Sequence, residues 1–144
     1  MEKILLLEED TEVRNKILEN LGNEYHFETA ATVEEARDIL NNNSFDALFF
    51  DAILPDGSGL KLLREFRLKG LKTPALITTT LPEKKVYNLL SGTNSICLIK
   101  KPLPNVAIIR RKIDFTIKME SKEIREKLIE TLNHLNKHQL ALAT

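Results

Sequence analysis

Tryptophan is absent from the chain and cysteine occurs once, at Cys97. A lone thiol cannot close an internal disulfide, so the fold must be held by its core. Its place in the apolar stretch from Ile96 to Ile99 marks Cys97 as a small buried hydrophobe. Excess charge is also missing: 21 lysines and arginines balance 21 aspartates and glutamates. The whole-chain field therefore gives no reason to expect a nucleic-acid or anionic-membrane partner. Met1 is followed by Glu2 and Lys3 and then only a short apolar run, which argues against a secretory leader. No later run approaches the ~20 residues of a membrane span, so a cytoplasmic location is expected. His26, His134 and His138 are scattered and lack the partners of a metal cluster or a catalytic triad. What is present is 144 residues, 42% hydrophobic and 29% charged, enough for one domain with one substantial core.

Short apolar runs recur at Ile4 to Leu7, Ala47 to Phe50, Ala75 to Ile77 and Ile96 to Ile99, each bounded by polar or turn residues. They are too short for helices and read as strands buried on both faces, with His26 to Ala30 a more polar fifth. Between them apolar residues fall three or four apart: Val13, Ile17 and Leu21; Val33, Ala36, Ile39 and Leu40; Leu60, Leu63 and Phe66. That spacing predicts amphipathic helices, and Thr32 with Glu35 three residues later predicts a helix start near Val33. Alternating strands and helices imply an α/β fold: a doubly wound, five-stranded parallel sheet covered by helices on both faces. From Asn105 onward glycine and proline disappear, and Ile109, Ile113, Ile117, Ile124, Leu128, Leu132 and Leu135 predict one long helix or two abutting ones. Ser121 is a candidate cap for a separate helix. Roughly the last 20 residues exceed what a covering helix needs, so they project past the domain or fold back on it.

In such sheets the chemistry gathers at the carboxyl ends of the strands. There lie Glu8, Glu9 and Asp10, then Asp51, then Thr78 to Thr80, then Lys100 and Lys101. Clustered carboxylates repel unless a cation offsets them, and an oxygen-only set favours magnesium, which binds alongside phosphate oxygens. A lysine ammonium and a threonine hydroxyl supply further contacts to a phosphoryl group, so the parts for phosphoryl transfer to Asp51 are all in place. Asp10 reads as a helix cap rather than a ligand. DGSG at 56–59 lacks a dinucleotide or P-loop fingerprint and reads as a turn and helix start.

The segments KILLLEED (3–10), FDALFFDAILPDGSGLKLLREFR (45–67), TPALITTT (73–80) and KKP (100–102) resemble the receiver domain of bacterial two-component response regulators. The resemblance covers about residues 3 to 118 and implies the flavodoxin-like receiver fold, with residues 121–144 as a helical extension of a domain spanning 1–120. It implies that a sensor histidine kinase or phosphotransfer protein phosphorylates Asp51. Glu9 and Asp51 would be direct Mg2+ ligands, the backbone carbonyl of Ile53 a third, and Glu8 one acting through water. Thr79 matches the switch hydroxyl, Lys101 the family's lysine, and Pro102 a proline that often follows a cis peptide. Such a chain is a phosphoacceptor switch, not a metabolic enzyme, with at most self-phosphorylation and autodephosphorylation activity. Its output runs through the fourth helix, fifth strand and fifth helix to an unnamed effector protein.

The sequence departs from the family pattern at four positions. Glu9 stands where aspartate is usual, Leu98 where an aromatic is usual, Thr80 where alanine is common, and Asn94 where glycine is common. The first three motivate an alternative, a pseudo-receiver that binds partners or dimerises without phosphorylation. A flavin enzyme on a similar sheet is disfavoured, since the carboxylates would oppose an anionic phosphate. The apolar stripe of the last helix, with Ile124, Leu128 and Leu135, is a candidate homodimer seam.

Overall fold

The computed structural model describes residues 1–95, 97–118 and 122–143. Ile96, Ser121 and the side chain of Ile124 lie outside the described residues, and with them the expected strand start, the candidate cap and one member of the seam.

The strands are β1 (Lys3–Leu7), β2 (His26–Ala30), β3 (Ala47–Asp51), β4 (Ile53–Leu54), β5 (Gly57–Ser58), β6 (Ala75–Thr79) and β7 (Cys97–Lys100). The helices are α1 (Thr11–Leu21), α2 (Val33–Asn42), α3 (Gly59–Leu68), α4 (Glu83–Leu89), α5 (Val106–Lys118) and α6 (Lys122–Ala143). Five strands form one sheet in the order β2-β1-β3-β6-β7, with every pairing parallel. The chain steps outward from β1 to β2 and then crosses back to β3. The direction of winding thus reverses at the carboxyl ends of β1 and β3, where such sheets form their crevice. The short strands β4 and β5 pair antiparallel as a small hairpin, of which β5 falls in the 56–59 segment read from sequence as a turn and helix start.

Every residue of β3 and of β6 is buried, which is why these strands read as continuous apolar runs rather than alternating ones. Alternate side chains feed two cores. On one face Leu5, Leu7, Leu48, Phe50 and Ile77 pack with residues of α2, α3 and α4, including Ala36, Leu63, Phe66 and Val86, and with Leu90 just past α4. On the other, Ile4, Leu6, Phe49, Leu76 and Ile99 meet Ile17 and Leu21 of α1 and Ile109 and Ile113 of α5. Cys97 is buried with this second set, and burial pushes its thiol pKa up, as expected of an inert core cysteine.

Side-chain caps start the helices that lead away from the sheet edge. Asp10 accepts from the amides of Glu12 and Val13, Thr32 from Glu35, and Ser58 from Lys61. Helix α2 begins at Val33 as its capping pair predicts, although Glu35 reaches back to the amide of Ala31 rather than of Thr32. A second cap comes from a distance: Asp56, between β4 and β5, accepts from the amides of Val33 and Glu34. Those bonds hold the Asp56 carboxyl below the usual carboxylate range and tie the hairpin to α2. Asn94 takes the left-handed backbone expected of it, at φ 53°.

Helices α5 and α6 occupy the C-terminal region, with residues 119–121 between them outside the described residues, and α6 folds back on the domain. Ile129 and Leu132 of α6 are half-buried and share a cleft with Tyr87, Leu90, Ser91, Gly92, Asn94 and Ser95 at the far end of α4. Leu128 and Leu135 lie on the adjoining edge and stay 36% and 52% exposed, which leaves that part of the stripe open to a partner.

Candidate functional site

Parallel register places the site. Leu7 pairs with Phe50, Phe50 with Ile77, and Ile77 with Leu98. One residue further on, Asp51 pairs with Thr78 and Thr78 with Ile99, while Glu8 follows directly after β1. Since side chains alternate along each strand, Glu8, Asp51 and Thr78 project to one face of the sheet. Lys101, two residues beyond Ile99, projects to the same face.

The side chains meet accordingly. Lys101 Nζ lies 2.8 Å from Asp51 Oδ2 and 2.5 Å from Glu8 Oε1. The three side chains are only 15%, 12% and 4% exposed, so this charge cluster sits largely out of water. The amide of Lys101 donates to the carbonyl of Thr79 at 2.7 Å, and the Lys101–Pro102 peptide is cis, as expected. Asp51 Oδ1 accepts a longer bond from the amide of Ile53 at 3.3 Å. Glu8 Oε2 accepts from the amide of Asp10.

These contacts set the charges. Burial pushes the Glu8 carboxyl up; the bonds from Lys101 and Asp10 pull it back, the Asp51 charge adds to the rise, and the net direction is upward. Burial alone would lower Lys101, but its hydrogen bonds to Asp51 and Glu8 outweigh that and hold its ammonium above the ordinary lysine value. The site therefore keeps a positive charge against two acidic groups well beyond neutral pH.

Other expected residues fall at different distances from this cluster. Thr79 is buried, and its Oγ1 accepts from the amide of Leu81, the first residue after Thr80 on the way to α4. Thr80 and Glu9 are exposed. Glu8, expected to reach a magnesium ion through water, is buried and pairs with Lys101. Among the described residues no set of three or more His, Cys, Asp or Glu side chains is gathered as a metal cage. The donor chemistry nevertheless suits a hard cation, because two carboxylates already converge on the single cationic nitrogen of Lys101. His26 and His134 are exposed and stand apart from the cluster, and the side chain of His138 lies outside the described residues.

Sequence reasoning missed two supports of the site. Gly59 opens α3 directly against the backbone of Asp51: a Cβ there would stand 2.0 Å from the Asp51 carbonyl oxygen. The glycine in DGSG is the visible signal for that approach, though turn duty explained it equally well. The other is Thr78, a buried threonine in register with Asp51, which nothing in its apolar-run context distinguishes.

A doubly wound sheet whose acidic and lysine side chains collect at the switch point defines the class of α/β modules that work on a charged group at the sheet edge. Residues 4–111 match the response regulator receiver domain, and the chain belongs to that family of two-component systems. It is 32% identical over 112 residues to the cell cycle response regulator CtrA of Brucella ovis, covering 76% of this chain and 47% of that protein. It is 30% identical over 105 residues to the probable transcriptional regulatory protein y4xI of Sinorhizobium fredii, covering 71% and 46%. The matched region thus spans less than half the length of these two relatives. The non-phosphorylated HemR receiver domain of Leptospira biflexa superposes with TM-score 0.74 at 26% identity, over 83% of this chain and 96% of that one. A CheY-like receiver domain protein of Methanospirillum hungatei gives 0.76 at 24% identity, over 85% and 98%, and supports the fold. Among the described residues no helix is long and apolar enough to cross a membrane.

Proposed function

We propose that the chain is a cytoplasmic phosphorylation switch whose acceptor is Asp51, supplied by a sensor histidine kinase or phosphotransfer protein. The observation that carries this reading is the Lys101 ammonium 2.8 Å from Asp51 Oδ2, a cation fixed beside the one carboxylate that ends a central strand. In the transfer an Asp51 carboxylate oxygen bonds to phosphorus while the P–N bond of a phosphohistidine breaks, and the departing imidazole keeps the electron pair and takes up a proton. Mg2+, held by Glu8, Glu9, Asp51 and the carbonyl of Ile53, would neutralise charge on the phosphoryl oxygens. Lys101 takes one phosphoryl oxygen and the Thr79 hydroxyl another. Turning Thr79 toward the phosphoryl group strains its bond from Leu81, which gives the loop into α4 a second arrangement and thereby alters the α4, β7 and α5 surface offered to an effector.

Incubation with acetyl phosphate and magnesium, read by intact mass, tests the reading. A phosphoryl adduct is expected on the wild-type chain and none on Asp51→Asn. No adduct under conditions that label another receiver would leave the pseudo-receiver, a phosphorylation-independent interaction module, as the function. The exposed edge of α6 supports self-association in either case: Leu128 and Leu135, one heptad apart, suit a second copy of the same helix. Truncation after Lys118 is expected to lower the number of copies per particle measured by light scattering, and an unchanged copy number removes the seam.

A further inference from the structure

Thr78 is 1% exposed, and among the described residues its Oγ1 is the buried side-chain oxygen that has no hydrogen-bond partner. Leaving a hydroxyl dry and unpaired costs stability, and valine would fill the same space and suit a strand equally well without that cost. The cost falls at a telling place. Thr78 is the in-register neighbour of Asp51 on β6 and projects to the same face. Its neighbour on the other side is Ile99, which offers no acceptor. Of its two in-register neighbours, Asp51 is thus the one whose side chain has oxygens to receive the hydroxyl. In the resting arrangement Asp51 Oδ2 is engaged by Lys101 and Oδ1 by the amide of Ile53 at 3.3 Å.

We propose that Thr78 is a positioning residue for phosphoryl transfer at Asp51, its hydroxyl donating to the Asp51 carboxyl oxygen that does not carry phosphorus. This rests on the phosphoacceptor reading of Asp51. As the phosphoryl group arrives, Lys101 turns to the phosphoryl oxygens and the non-bonded carboxyl oxygen loses its partner. A rotation about χ1 of Thr78 lets the hydroxyl take up that bond. The contact is absent at rest and made as the P–O bond forms or breaks, so it lowers the barrier in both directions. In dephosphorylation by water, the P–O bond to Asp51 breaks, the carboxylate keeps the electron pair, and water supplies the oxygen and loses a proton to yield phosphate. The hydroxyl then stabilises the charge returning to the carboxylate.

Thr78→Val and Thr78→Ser, with the wild-type chain, test this through three readouts: adduct formation from acetyl phosphate, adduct loss after donor removal, and the urea midpoint. Thr78→Val is expected to slow both formation and loss about threefold to tenfold, the size of one neutral hydrogen bond, while its midpoint equals or exceeds the wild-type value. Thr78→Ser, which keeps the hydroxyl and loses packing, is expected to react at wild-type rates with a lower midpoint. A purely structural threonine would give the same order of midpoints but leave Thr78→Val reacting at wild-type rates. Wild-type rates in Thr78→Val, or slowed rates in Thr78→Ser, overturn the proposal. Absence of an adduct on the wild-type chain overturns the phosphoacceptor reading itself and this role with it.

Discussion

Gly59→Ala is expected to destabilise the domain by about 3 kcal/mol or more, because a methyl group there meets backbone rather than a side chain that can turn away. The added Cβ would lie 2.0 Å from the Asp51 carbonyl oxygen and 3.2 Å from its carbon. The Gly59 amide also donates to the carbonyl of Ala52, so α3 cannot slide outward without breaking that bond. Relief must come from moving Asp51 or the start of α3, and either one disturbs the cluster that Asp51 forms with Lys101 and Glu8. Urea unfolding measures the cost. Gly70→Ala is the companion variant: Gly70 has φ 98° with no atom near its missing Cβ, so it reports backbone strain without a clash. A Gly59→Ala midpoint as little shifted as that of an ordinary surface substitution would mean that the close approach places no constraint on the site.

Lys101→Ala is expected to cost about 3–5 kcal/mol in metal-free buffer, the range for removing one partner of a buried ion pair. The loss arises less from the missing attraction than from what remains, two largely buried carboxylates, Glu8 and Asp51, with no counter-charge between them. Two further measurements identify that cause. Adding Glu8→Gln removes one of the stranded charges, so the double variant should recover part of the stability and show coupling between the sites. Magnesium chloride should stabilise Lys101→Ala more than the wild-type chain, since the ion no longer competes with an ammonium. If Lys101→Ala unfolds like the wild-type chain without metal, the cluster contributes nothing to the resting fold.

Much of the framework was legible because parallel strands buried on both faces leave an unbroken signature. ALFF and ALIT could be read as strands without knowing their neighbours, and the residues after them could be listed as the site before any geometry existed. Lys101 was singled out by the proline that follows it, and Asp10 and Thr32 by the oxygens that helix starts require. The sequence was silent where an effect depends on what lies across the sheet. Nothing in LITTT distinguishes Thr78 from Thr79; register alone sets Thr78 opposite Asp51. Glu8 and Glu9 likewise look equivalent in LEED, yet Glu8 turns inward to Lys101 and Glu9 is exposed to solvent. Asp56 capping α2 from 22 and 23 residues away has no local pattern at all. Helix α4 is marked least in the sequence, for it begins at Pro82 with no side-chain cap.

The solved receivers compared above are matched over 96% and 98% of their length while covering 83% and 85% of this chain, an excess that corresponds to a segment about the size of α6. Ile129 and Leu132 of that helix face the end of α4 across a shared cleft, and the remainder runs on from there to Ala143. Taken as a mechanical part, the stretch beyond Leu132 is an arm about 16 Å long, at 1.5 Å per residue. A tilt of about ten degrees at the seat carries the far end of such an arm about 3 Å, by the same helical rise. A displacement at α4 too small to alter the domain's outline is thereby converted into a change of position that a partner gripping the helix tip would register.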